Sequence, residues 1–448
     1  MDTTKIFKAY DIRGTYPDQI DEPLARAVGS AFATHIGAKR IVIARDMRPS
    51  GVALCRSFAE GARAVGTEVV DLGLASTDFL YFASGYLDTP GAMFTASHNP
   101  AQYNGIKLCL ARAKPIGVET GLVEIEALTN KFYDEPAIGA LASLTEMNLM
   151  DEWVQHVHSF IDVDALRTVK IVADTANGMG GFIAPKVFAG LPFDVEIMYP
   201  ELDGTFPNHP ADPLNADNIV DLQRRVLETG ADIGLAFDGD ADRVFLIDEK
   251  AQPVSGSTTT AMVAAVMLRR QPGATVLYNL ICSKAVPEVI AENGGVGVRT
   301  RVGHSYIKQV MADTGAIFGG EHSGHYYFRD NYRADSGIIT ALVVLELLCA
   351  SRAPLSELTA PFIRYVDSGE INTRVDDPAA TVVRIATSLE QRGVNVDMLD
   401  GLTAEYGDWW FNLRPSNTEP LLRLNVEAKD QEACEARVNE VVAMIEGK

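Results

Sequence analysis

Three aspartates at alternate positions, Asp238, Asp240 and Asp242, with Arg243 directly after them, are the residues whose types and spacing most plainly suggest chemistry. Like charges this close repel, and no Lys or Arg stands between them. A loop that gathers them calls for a cation, and an all-oxygen donor set favours Mg²⁺, Mn²⁺ or Ca²⁺ over zinc. The apolar runs on either side, Asp232 to Phe237 and Val244 to Ile247, read as strands. That context favours a metal loop over a solvated acidic turn. A helix–loop–helix calcium site would use Asp238, Asp240, Asp242 and Glu249, but it needs glycine where Arg243 stands and helices where the strands are.

Three further loops carry unusual chemistry. In Thr95-Ala96-Ser97-His98-Asn99-Pro100, after the strand Ala92 to Phe94, Ser97 is a candidate nucleophile. Taken alone, the segment reads better as a Ser/Asn turn, and it is not the GxSxG elbow of an α/β-hydrolase. Lys107 follows closely and places an amine near that turn. In Gly319-Gly320-Glu321-His322-Ser323-Gly324-His325, small spacers separate groups that can line a pocket for sugar hydroxyls; a metal site there lacks HExxH spacing. In Arg414-Pro415-Ser416-Asn417-Thr418-Glu419-Pro420, an Arg fork, two hydroxyls and backbone N–H groups suit a phosphate dianion, a proline-bounded surface turn being the plain alternative. A nucleophile, a divalent metal, a hydroxyl pocket and a phosphate clamp together describe phosphoryl transfer on a sugar phosphate, with serine as carrier.

The elements that must position these loops alternate strand and helix. Arg40–Ala44, Thr67–Asp71, Val169–Ala173 and Thr275–Tyr278 are predicted strands. Val52–Val65, Asp78–Gly85, Asn218–Thr229, Thr258–Arg269 and Ser305–Thr314 are predicted helices, and Asn177–Gly181 a glycine-rich loop. This alternation argues for parallel α/β units, recurring three times. The last part differs: strands at Ile371–Val375, Trp409–Leu413 and Leu421–Val426 with helices at Ala379–Gln391 and Gln431–Glu446 predict a smaller α+β unit. At 448 residues the chain has room for about three domains on length alone. A net charge of −21 argues against nucleic acid or an anionic membrane as partner, and requires a locally basic pocket for any phosphate substrate. The most apolar window, Ile338 to Ala350, is short for a membrane span and contains Glu346. The start Met1-Asp2-Thr3-Thr4-Lys5 has no apolar signal core, so the expected location is cytoplasmic. Five dispersed cysteines without CxxC spacing suit a reducing compartment, neither a disulfide frame nor a zinc site.

With all four loops in order, and Tyr10-Asp11-Ile12-Arg13-Gly14 before them, the chain resembles the α-D-phosphohexomutase superfamily over essentially its whole length, and within it the bacterial phosphomannomutases and phosphomannomutase/phosphoglucomutases. The resemblance implies four domains around a central cleft: three similar α/β domains with mixed sheets, at 1–145, 146–253 and 254–361, and a C-terminal α+β phosphate-binding domain at 362–448. It implies a reversible 1,6-phosphate shift between mannose 6-phosphate and mannose 1-phosphate through phospho-Ser97 and a hexose 1,6-bisphosphate, which also acts as activator. Mg²⁺ would sit on Asp238, Asp240, Asp242 and a phosphoserine oxygen at Ser97. Arg13 and Arg243 would flank the transferring phosphate, with Lys107 and His325 moving protons. His98, His304, Glu321 and Ser323 would hold the sugar phosphate, Glu321 and Ser323 taking its 3- and 4-hydroxyls. Arg414, Ser416, Asn417, Thr418 and Arg423 would grip the phosphate that is not reacting.

A site that reads O3 and O4 separates mannose from glucose poorly, so a phosphoglucomutase or dual enzyme is the nearest alternative. Several dual-specificity members carry Lys where this chain has Ile281, before Cys282, with Lys284 the nearest substitute. A phosphoglucosamine mutase usually has Gln at the His322 position. A metal-dependent sugar phosphatase would need water at Ser97, and a non-catalytic sensor would not need Ser97, the aspartates and Lys107 together. Hexose phosphates are the expected partners, the protein being a monomer or homodimer, and mannose 1-phosphate would feed nucleotide-sugar and surface-polysaccharide synthesis.

Overall fold

The computed structural model of the chain describes residues 3–415 and 421–447. The first sheet runs in the order Ile12–Thr15, Tyr103–Leu110, Gly91–Phe94, Arg40–Arg45, Glu68–Leu74, Leu144–Glu146, with Lys114–Pro115 pairing beside Tyr103–Leu110. Its central strand is apolar on both faces because both are covered. Ile41 and Ile43 pack among Leu24, Phe32, Leu54 and Phe58 of the helices Glu22–Ile36 and Gly51–Ala64. Val42 and Ala44 share a cluster with Phe79 and Leu80 of the helix Thr77–Tyr86, and with Trp153. The second sheet has the order Pro253–Val254, Val244–Asp248, Ile233–Phe237, Lys170–Asp174, Asp194–Met198, and the third Val296–Thr300, Thr275–Asn279, Phe318–Gly320, Tyr326–Phe328. The fourth, built on Leu421–Ala428, Trp409–Pro415 and Leu402–Tyr406, is antiparallel throughout.

Strand–helix alternation on its own predicts parallel units, whereas each of the first three sheets is mixed, as the family resemblance implies. The antiparallel pair is Gly91–Phe94 with Tyr103–Leu110 in the first, Ile233–Phe237 with Val244–Asp248 in the second, and Phe318–Gly320 with Tyr326–Phe328 in the third. A parallel crossover takes about a dozen residues or more, and the connections 95–102, 238–243 and 321–325 are too short for one. These three connections are the chemistry-bearing loops. The fourth loop occupies the same place, between the paired strands Trp409–Pro415 and Leu421–Ala428.

The glycine-rich segment read as a loop is one over 177–179, and its last two residues open the helix Gly180–Phe188. Its glycines permit close approach: a Cβ at Gly178 would lie 2.7 Å from the Gly239 carbonyl, and one at Gly181 2.2 Å from that of Pro200. One hydrophobic cluster runs continuously through residues of the first three sheets, from Val42 to Leu355, while the fourth sheet has a cluster of its own, from Val382 to Ile445. The apolar window lies in the helix Gly337–Ser351, most of it buried in the shared cluster. Among the described residues no single helix is long and apolar enough to cross a membrane. All five cysteines are buried and free.

Candidate active site

Ser97 sits at the turn that follows Gly91–Phe94, with a left-handed backbone (φ 48°) and 5% exposure. Its Oγ donates to Asp238 Oδ2 at 2.7 Å and lies 3.3 Å from His98 Nδ1 and 3.4 Å from Arg243 Nη2. The aspartate loop presses directly on it, since a Cβ at Gly239 would be 2.4 Å from the Ser97 carbonyl oxygen. Two loops from different sheets therefore meet at the hydroxyl.

The three aspartates are all buried. Lys107 Nζ lies 2.7 Å from both Asp240 Oδ2 and Asp242 Oδ2, Thr77 Oγ1 donates to Asp240 Oδ2 at 2.6 Å, and Arg243 Nε donates to Asp238 Oδ2 at 2.9 Å. Burial pushes Asp238 up to about 7, with Arg243 opposing and the neighbouring carboxylates adding to it. Burial acts the same way on Asp240, yet Lys107 and Thr77 hold it below the usual carboxylate range. Burial would lower Lys107, but Asp240 and Asp242 keep it firmly protonated. One carboxylate oxygen on each aspartate lies within 4.8 Å of the others, and Asp240 Oδ1 and Asp242 Oδ1 are buried without a hydrogen-bond partner. Orphaned hard oxygens of this kind fit a divalent cation such as Mg²⁺. Glu249, the would-be last ligand of a calcium hand, instead accepts from the Ser356 N–H at 3.0 Å.

Arg13 and His98 complete one wall. Arg13 Nη1 donates to Asn99 Oδ1 at 2.7 Å, while Nη2 pairs with Asp11 at 2.5 Å. Burial, then Arg243 and Arg13, drive His98 down to about 2, and the neutral ring accepts from Arg243 through Nδ1. His325 is joined to Arg243 by an isolated antiparallel bridge. Its Nδ1 lies 2.8 Å from Asp335 Oδ2 and 3.8 Å from Asp242 Oδ1; burial works against the imidazolium, yet these carboxylates raise it above the ordinary value. Asp335 is itself paired with buried Lys308 at 2.9 Å.

Glu321 is buried and heavily used within the protein. It accepts from Tyr327 Oη at 2.5 Å, Asn279 Nδ2 at 3.0 Å and the Gly303 N–H at 3.4 Å, leaving little carboxylate capacity beyond these. His304 packs edge-on to Tyr10, with its Nδ1 buried and unpartnered, and burial keeps the ring neutral. Ser323 is partly exposed on the same loop as Glu321. Arg414 and Arg423 stand directly opposite each other on paired strands, and Glu370 offsets both, at 3.0 and 3.3 Å. Ser416, Asn417 and Thr418 lie outside the described residues. Lys284 gives its Nζ to the Gly407 carbonyl at 2.5 Å and its N–H to Glu427, so it is committed to the fourth sheet and does not fill the place of Ile281.

The sequence reading missed Thr77, Asp335, Lys308, Tyr327 and Glu370. Each lies on a separate element from the group it serves or beyond its loop, and no local spacing signals such partners.

This arrangement is that of a phosphohexomutase. The chain belongs to the phosphoglucomutase/phosphomannomutase family: models of its three alpha/beta/alpha domains match residues 4–134, 151–252 and 255–365, and that of its C-terminal domain matches 370–444. It is 37% identical to a phosphomannomutase of Salmonella montevideo over 99% of this chain and 100% of that one. It is 38% identical to the phosphohexose mutases of Xanthomonas campestris pv. campestris, again over 99% and 100%. A crystal structure of a phosphoglucomutase/phosphomannomutase family protein from Burkholderia thailandensis superposes with a TM-score of 0.91 at 31% identity, covering 100% of this chain and 98% of that one.

Proposed function

We propose that this phosphohexomutase is a phosphomannomutase, interconverting mannose 6-phosphate and mannose 1-phosphate. The observation that carries the reading is the Ser97 hydroxyl, 2.7 Å from a buried carboxylate of the aspartate triplet, with Lys107 bridging the other two. In the working enzyme Ser97 carries a phosphoryl group. The free sugar hydroxyl attacks phosphorus and the bond to Ser97 Oγ breaks; the hydroxyl proton passes to His325, whose Nδ1 is held by Asp335 so that Nε2 is the accepting atom, and Ser97 Oγ leaves as an alkoxide faced by the Arg243 guanidinium. The hexose 1,6-bisphosphate turns over, Ser97 Oγ attacks its other phosphorus, the bond from that phosphorus to the sugar oxygen breaks, and that oxygen takes the proton back from His325, while Lys107 holds Asp240 and Asp242 in place. Asp238, Asp240 and Asp242 would hold Mg²⁺ beside phospho-Ser97, where it would offset the charge of the transferring group. Arg13, Arg243 and His98 surround that group. Glu321, Ser323 and His304 line the sugar position, and Arg414, Arg423, Ser416, Asn417 and Thr418 hold the distal phosphate.

A second reading, action on glucose phosphates as well, is supported by the 38% identity to the phosphohexose mutases. Against it, the Lys that several dual-specificity members carry is Ile281 here, and Lys284 pairs with Gly407 and Glu427 instead. The units 1–145, 146–253, 254–361 and 362–448 each supply one loop to this chemistry.

The test is ³¹P NMR of the protein with Mg²⁺ and a trace of hexose 1,6-bisphosphate, offering mannose 1-phosphate and glucose 1-phosphate separately. Conversion to the 6-phosphates without free phosphate is expected, faster for mannose. Ser97→Ala is expected to lose turnover while still binding the sugar phosphate; full turnover in that variant, or release of inorganic phosphate by the native chain, overturns the mechanism.

A further inference from the structure

The sequence Asp46-Met47-Arg48-Pro49-Ser50 follows the strand Arg40–Arg45 and contains an arginine with no part in the chemistry above. Arg48 is 1% exposed, among the largest fully buried side chains of the protein. A guanidinium survives such burial only when its donors find acceptors. Here Nη1 donates to the carbonyls of Pro100 (2.9 Å) and Tyr103 (2.8 Å), and Nη2 to those of Ser97 (2.9 Å) and Asn99 (2.6 Å). Nε lies 3.3 Å from Asp46 Oδ2, the counter-ion. Four of its N–H groups thus converge on one short stretch of backbone, the stretch that presents Ser97.

The second sheet's unit closes the other side. The Phe206 ring lies over the guanidinium at 5.3 Å, and Gly204 approaches so closely that a Cβ there would be 2.7 Å from Arg48 Cα. Ser50 adds a further tie, its Oγ accepting from Asn104 Nδ2 at 2.8 Å. Meanwhile Ser97 holds a left-handed backbone, which a residue with a Cβ adopts only when its surroundings over-determine it.

We propose that Arg48 is a positioning residue for phosphoryl transfer. By gathering the carbonyls of Ser97, Asn99, Pro100 and Tyr103 onto one rigid fork, it fixes the left-handed turn and with it the line from Ser97 Oγ to Asp238. The role is one of geometry more than charge: a lysine in its place keeps a cation beside Asp46 but presents three donors on a single point instead of a planar fork. The inference rests on Ser97 being the phosphoryl carrier.

The experiment compares Arg48→Lys and Arg48→Gln with the native chain. Three quantities are read: melting temperature, kcat and KM for mannose 1-phosphate, and the single-turnover rate at which hexose 1,6-bisphosphate phosphorylates Ser97. Misplacement of a reacting group by about 1 Å costs on the order of 100-fold. The expected result is a fall of about that size in kcat and in the phosphorylation rate for both variants, with KM within about twofold and no rescue by lysine. Native kcat in either folded variant overturns the proposal, as does a parallel loss of kcat and substrate affinity. Should neither variant fold, Phe206→Leu, which loosens the cover over the guanidinium from another unit, is expected to lower kcat severalfold at constant KM; an unchanged kcat overturns the proposal there too. Failure of the mutase reading is separate, because it appears as full turnover in Ser97→Ala.

Discussion

Asp240 uses its two carboxylate oxygens unequally: Oδ2 takes Lys107 and Thr77, and Oδ1 takes nothing. That asymmetry leaves a hard, buried oxygen for a cation while the other oxygen is held in place. Asp240→Asn removes the charge and is expected to raise the half-saturating Mg²⁺ concentration at least about tenfold, since even partners one step behind a ligand carry that much. A Mg²⁺ titration of mutase activity reads it, and an unchanged midpoint would remove Asp240 from the metal site. At this scale the sequence was legible wherever the chemistry is local. Three carboxylates in one turn announce themselves by their mutual repulsion, whereas Ser97 stands out only beside the other loops, its own segment reading as a Ser/Asn turn. Arg48 and Asp335 were not legible, because the groups they serve, the 97–103 backbone and the His325 ring, are brought to them only by folding. The partners that hold Glu321, namely Tyr327, Asn279 and Gly303, were not legible either, since they stand outside its loop.

Each chemistry-bearing loop joins two antiparallel strands, so a site assembled from distant residues needs one device used repeatedly. The strands were readable from their apolar runs, but strand direction was not. It follows from loop length, which alternation alone ignores. Helices such as Gly337–Ser351 escaped because a helix buried on all sides shows no 3.6-residue stripe. The helix Met150–His158 shows what such packing does to an ionisable side chain. His156 lies against Phe82, Phe160 and Tyr332, contacts that join the first, second and third units. Burial first of all lowers its pKa, with Asn331 opposing, so the folded chain keeps the ring neutral where the unfolded chain takes up a proton. Its stabilising contribution is therefore present above about pH 6.5 and lost as pH falls below it. His156→Gln is expected to flatten the acid side of the stability–pH curve by up to one proton, measured as melting temperature between pH 5 and 7. An unchanged slope would place the titrating groups elsewhere.

For the molecule as a whole, four chemically distinct loops foretold four units, but nothing in the sequence said that three would share a core and the fourth would keep its own. The fourth meets the third through polar and charged contacts: Arg299 with Asp397 and Glu405, and Lys284 with Glu427 and the Gly407 carbonyl. Ion pairs at such exposure contribute little each, in contrast to a continuous apolar core. Cooperativity in melting follows continuity of packing, so the chain is expected to melt as two cooperative blocks rather than four. Scanning calorimetry is expected to record two heat-absorption peaks, the smaller one in proportion to the residues of the fourth unit. A hexose bisphosphate bridging Ser97 and the Arg414–Arg423 pair would draw the peaks together, because ligand bound across both blocks makes the melting of one the business of the other. A single peak without ligand would mean that the polar seam alone couples them.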